Sequence, residues 1–175
     1  VDLCIVMNLP RDRRVTAIPL FEDEVVAVVA PTHPLASRAY LEPSDFAHEH
    51  LLNYSPPEES RLFQRVLTPA GVMPRQLSLI KLTEAMIELT KAGIGICALA
   101  RWAVEPHIRA GTLCAIPITA EGMPRRWYSA TRARCAGAVR ALRGCAMGCR
   151  SRTIAARSMV ASAATMAGFS AAGCA

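Results

Sequence analysis

The residues able to do chemistry are few and widely spaced. Four histidines are present, His33, His48, His50 and His107. His48 and His50 flank Glu49, and on a strand that alternation would put both imidazoles on one side, the beginning of a divalent-metal site. No third ligand follows at a suitable spacing, so a solvated turn is the plainer expectation. His33 lies in a turn bounded by Pro31 and Pro34. Glu58 and Glu59 are adjacent carboxylates, but neighbours in a loop do not flank a substrate as an acid–base pair must. Asp2 and Asp23 read as polar groups at strand ends. No serine sits in a nucleophile elbow. The expectation is a protein without catalytic residues, metal or cofactor, and not an enzyme.

Gly93 and Gly95 in "KAGIGICALARWAVEPHIRAGTL" raise a second possibility, a phosphate-cradling loop. Such a loop follows a strand and opens a helix. Here the order is reversed. "EAMIELTKA" has helical periodicity with Thr83 as its cap, Gly93 sits where the helix stops, and "IGICALA" reads as a buried strand. Ser60 and Thr83 are the better candidates. Each stands where a helix is expected to begin after a strand, with Ser60 or a preceding residue as the cap of the first. Capping alone explains them; a hydroxyl beside free N–H groups would also suit a small anion. Arg61 could clamp a carboxylate, although a solvated helix face explains it as well.

Charge excludes one large class. All 14 acidic side chains lie in residues 1–132 beside 14 of the 20 basic ones, so this body is neutral and shows no basic face for nucleic acid. The formal charge of +6 belongs to six arginines after residue 132. Cys4, Cys97 and Cys114 fall in apolar, strand-like contexts and are expected to be buried thiols of a reduced, cytoplasmic protein. Cys145 and Cys149 have a metal-like spacing but no His or Asp partner nearby.

The remaining pattern supplies the elements that must position these side chains. "VDLCIVM" is a strand, "NLPRDRR" a polar turn, and "EVVAVVA", Glu24 to Ala30, a second strand. A short helical turn, "EPSDFA", precedes a strand in "HLLNY". "SRLFQRVLTPAGV" is a helix stopped by Gly71, and "RQLSLI" is a strand. After the Thr83 helix and "GICALA" come a helix ending at Gly111 and strands in "TLCAIPI" and "RRWYSATR". This alternation predicts a largely parallel, doubly wound sheet, whose ligands sit at the carboxyl ends of strands. The chain opens on a strand-like run without an initiator Met, which suggests missing upstream sequence. Residues 133–175 turn abruptly to Ala, Arg, Gly and Cys. They read as an aberrant tail, the product of a shifted reading frame in a GC-rich gene, rather than a membrane span.

Four segments together, "PLFEDEVVAVVAPTHPLA", "PAGVMPRQLSL", "ELTKAGIGICALARWAV" and "GTLCAIPI", resemble the effector-binding domain of LysR-type transcriptional regulators. "SRLFQRVLTPAGVMP" and "LTEAMIELTKAGIGICALARWAVEP" are most similar to the methionine-biosynthesis branch of that family. The resemblance implies an α/β fold of two lobes, like periplasmic binding proteins. Residues 1–22 would be a remnant of the first lobe, 23–118 a complete second lobe and 119–132 the crossover and return strand. It further implies homocysteine as the effector and a homo-oligomer when intact. DNA would be bound through an N-terminal helix-turn-helix that this chain lacks, and no membrane is involved. The effector carboxylate would meet the helix starts at Ser60 and Thr83, and its ammonium would meet Glu59 or Glu84. Met7 and Ile96 would wall its sulfur-bearing chain, with Met7 and Asn8 facing the helix starts across the cleft. A solute-binding protein of the same fold, or a LysR-type regulator of another pathway, remains the alternative; recovered upstream sequence distinguishes an export signal from a DNA-binding domain.

Overall fold

A computed structural model describes residues 3–7, 12 and 14–132; Asp2, Asn8 and the tail from residue 133 lie outside the described residues. The chain divides into two compact units. One takes residues up to Asp23 and from Arg125 onward, the other Glu24–Pro124.

The first unit holds β1 (Leu3–Val6), the opening half of β2 (Val15–Val29) and β7 (Pro124–Arg132). β1 and β7 run antiparallel with Ile5 opposite Ser129, and β7 lies beside β2. β2 is twice the expected length. The sequence pattern starts the strand at Glu24, because "VTAIPLF" contains Pro19 and lacks the β-branched run of Val25–Val29.

The second unit is built on a sheet ordered β6-β2-β5-β3-β4. β3 is His50–Asn53, β4 Gln76–Leu79, β5 Ile96–Ala100 and β6 Cys114–Pro117. Only β4, β3 and β5 are parallel; β2 runs antiparallel to both β5 and β6. The sheet is therefore mixed, and the largely parallel arrangement expected from alternating elements is confined to three strands. Both faces are covered, which explains why the successive residues Val25–Val29 of β2 are all apolar. Val25, Ala27 and Val29 pack with Phe46, Leu51, Phe63 and Leu67 on one face. Val26 and Val28 pack with Leu52, Met86, Cys97 and Val104 on the other.

The helices are short. A wide helical turn, Phe63–Leu67, covers the first face, where Thr68 N–H donates to the Phe63 carbonyl at 2.8 Å. α1 (Thr83–Lys91) and α2 (Arg101–Arg109) cover the second. Tight helical turns at Pro34–Ser37 and Pro43–His48 fill the β2–β3 connection. Gly71, Gly93 and Gly111 all take positive φ just after a helix, where an L side chain would be strained. At Gly93 the reversal is sealed by Ile94 N–H donating to the Leu89 carbonyl at 3.1 Å. Gly93 is therefore the stop of α1, and not part of a phosphate loop. Among the described residues no helix is long and apolar enough to cross a membrane.

Candidate functional site

The carboxyl ends of β3 and β4 lie side by side, with Asn53 in register with Leu79. From Asn53 the chain loops out and returns at Ser60. Ser60 Oγ donates to Asn53 Oδ1 at 3.5 Å, and Asn53 Nδ2 donates to the Ser55 carbonyl at 2.6 Å. Asn53 and Ser60 are only 4% and 6% exposed. The Asn53 carbonyl also accepts from Ile80 N–H at 2.9 Å, on the segment that leads into α1. Asn53 thus ties together the two segments carrying Ser60 and Thr83. The end of β5 belongs to the same edge and passes directly into α2 at Arg101.

Neither hydroxyl caps a helix as expected. The Ser60 carbonyl receives the Gln64 N–H at 2.9 Å and so starts the helical turn, but its side chain is turned to Asn53. Thr83 is the first residue of α1, half-buried, and the cap position falls on Leu82, which makes no side-chain capping bond. Met86 N–H donates to the Leu82 carbonyl, so the N–H groups of residues 83–85 have no partner within the helix. These groups and the positive end of the dipole favour a negative charge at this edge.

The carboxylates of Glu59 and Glu84 are on exposed residues next to these hydroxyls in sequence. Ile96 is not part of the edge. It is fully buried at the amino end of β5, paired with Leu51 and packed beneath the Phe63–Leu67 turn. Its place in an apolar run concealed which end of the strand it occupies. The sequence pattern does not single out Asn53; its one signal is a lone amide ending the apolar run "HLLN".

Met7 belongs to the first unit and follows β1, half-exposed. Its Sδ accepts from Arg125 Nη1 at 3.4 Å. Arg125 also grips Asp23 Oδ2 through Nε at 3.0 Å and Nη2 at 2.9 Å, and lies 4.7 Å from the centre of the Trp127 ring, on which Phe21 stacks. Burial pulls the Arg125 pKa down while the Asp23 carboxylate acts the other way; a guanidinium remains charged through such a shift. Asp23 is therefore half of a buried ion pair within β2 rather than a polar group at a strand end. Asn8 lies outside the described residues.

Two of the histidines, His33 and His50, have structural partners. His33 caps the Pro34–Ser37 turn by accepting from Leu35 N–H at 3.2 Å, with Nε2 3.3 Å from Glu49 Oε2. His50 is no solvated turn residue. It opens β3 with Nδ1 3.0 Å from the Ile94 carbonyl and Nε2 2.8 Å from Ser78 Oγ, linking β3 to β4 and to the turn that leads into β5. Among the described residues no three His, Cys, Asp or Glu side chains are placed to hold a metal ion. Of the three cysteines in the body only Cys97 is buried, Cys4 and Cys114 being half-buried. Two concavities stand apart from Ser60 and Thr83. One in the second unit, about 460 Å³, is lined by Arg65, Val66 and residues 119–124. The other, in the first unit, about 350 Å³, is lined by residues 19–22 and Arg126.

Comparison with known proteins gives this edge its context. A family model described as the LysR substrate binding domain matches residues 1–147. The HTH-type transcriptional regulator MetR of Escherichia coli K12 is 41% identical over 116 residues, which cover 65% of this chain and 36% of that protein. MetR of Haemophilus influenzae is 32% identical over 132 residues, 75% of this chain and 42% of that protein. The chain thus spans less than half the length of these curated relatives. Among solved structures, the regulatory domain of NMB2055 (MetR), a LysR family regulator from Neisseria meningitidis, superposes with a TM-score of 0.68 at 34% identity. The match covers 76% of this chain and 62% of that one. The effector-binding domain of QuiR in complex with shikimate shares the fold at 22% identity and a TM-score of 0.60. The α/β fold is therefore that of LysR regulatory domains, which are periplasmic-binding-protein-like, and the chain belongs to the LysR substrate-binding domain family.

Proposed function

We propose that this chain is the effector-sensing part of a LysR-type regulator that controls methionine-biosynthesis genes in response to homocysteine. The observation that carries the reading is the 41% identity, over 116 residues, to MetR of Escherichia coli K12. In this proposal the effector carboxylate meets the free N–H groups that open α1, beside Thr83. Ser60, with Glu59 or Glu84, serves the rest of the amino-acid moiety. On the family resemblance alone, Met7 and Asn8 are proposed as effector contacts of the first unit. Ile96 would act only from beneath, as packing. The full-length regulator is proposed to be a cytoplasmic homo-oligomer that binds DNA through a helix-turn-helix upstream of this chain.

Calorimetry on the full-length regulator tests the reading. Homocysteine should bind, and Ser60→Ala or Thr83→Ala should weaken it by about ten- to a hundredfold, the loss of one hydrogen bond to a charged group. If both variants bind like wild type, the site is wrong. If the wild type ignores homocysteine but binds another metabolite, a regulator of a different pathway is the correct reading.

A further inference from the structure

The hydrogen-bond polarity around Asn53 goes further than the location of the edge. A primary amide has one donor end and one acceptor end. The end facing the Ser55 carbonyl, at 2.6 Å, must be the NH₂ group, because two acceptors cannot face each other at that distance. Oδ1 is then the end that faces Ser60. Oδ1 cannot donate, so in the 3.5 Å contact between them the Ser60 hydroxyl is the donor. With both residues more than nine-tenths buried, no bulk water competes for that proton. In that contact the Ser60 oxygen presents its lone pairs to a further partner.

We propose, resting on the effector reading above, that Asn53 is a positioning residue that makes Ser60 a hydrogen-bond acceptor, so that Ser60 takes the ammonium of an amino-acid effector and not its carboxylate. The carboxylate is left to the unpaired N–H groups at the start of α1, which Asn53 holds alongside through its backbone carbonyl. One side chain thereby sets the orientation of a zwitterionic ligand along the edge.

The test compares homocysteine with 4-mercaptobutanoate, which keeps the carboxylate and thiol but lacks the ammonium, by calorimetry on the full-length regulator. The wild type should prefer homocysteine by about ten- to a hundredfold. Ser60→Ala and Asn53→Leu should each remove most of that preference while changing 4-mercaptobutanoate binding little, and the double variant should lose no more than either single one. If Asn53→Leu does not fold, as judged by circular dichroism, Asn53→Ser carries the same comparison. A merely structural Asn53 would weaken both ligands equally and leave the preference intact, and that result overturns the inference while the effector reading stands. A wild type that ignores homocysteine but binds methionine overturns the effector reading only, and the same comparison is then read with methionine and 4-(methylthio)butanoate. A wild type that binds no amino acid overturns both.

Discussion

Replacing Asp23 with alanine takes the carboxylate from an Arg125 side chain that is only 10% exposed. Removing one partner of a buried pair typically costs about 3–5 kcal/mol, because the surviving charge stays desolvated. Asp23→Ala should therefore lower the urea midpoint markedly, whereas Glu22→Ala, which breaks an exposed pair with Arg126, should leave it nearly unchanged. Cys97 offers a second residue-scale prediction. Burial pushes its thiol up from 9.0 to about 12, although the Thr90 hydroxyl bond acts against this. The unfolded thiol ionises first as pH rises, so folding stability is unaffected below about pH 9 and declines between there and pH 12. Cys97→Ala should remove that part of the alkaline decline in denaturation midpoints. In native protein at pH 8, alkylation followed by peptide mapping should leave Cys97 unmodified until denaturant is added.

At the scale of elements, the glycines separate two kinds of constraint. A Cβ on Gly95 would lie 2.4 Å from the His50 carbonyl oxygen, where β5 passes against β3. Gly93, at φ +72°, has nothing within 4 Å of the same position. Gly95→Ala must push two strands apart and should cost about 3 kcal/mol, the upper range for overpacking. Gly93→Ala meets only backbone strain and should cost about 1–2 kcal/mol. Thermal melts of the two variants check the order. Gly93 could be identified in sequence because a helix stop is a local property. Gly95 could not, because its role depends on a strand 45 residues earlier. The same distinction separates Ser60 from Asn53. A serine after a loop and before an apolar helical face draws notice, whereas an asparagine ending a strand acquires meaning only when Ser60 folds back to it.

For the molecule as a whole, the body of residues 1–132 carries no net charge, and among the described residues no helix–turn–helix pair is present. A protein truncated after Arg132 should show no sequence-selective operator binding in a gel-shift titration. Weak, salt-sensitive binding that appears only when residues 133–175 are present would come from their six arginines.

Composition and periodicity by themselves determined the α/β class, the order of strands and helices from Glu24 onward, and the glycines that end the helices. These follow from side-chain alternation and from backbone conformations that neighbouring residues impose. Tertiary structure decided the rest. It extended β2 back to Val15 by giving that half a partner in β7. It placed β2 antiparallel in the sheet, since an apolar run reads the same in either direction. It placed Ile96, expected in a pocket wall, in the core and set Asn53 against Ser60, because burial and hydrogen-bond partners are set by residues distant in the chain.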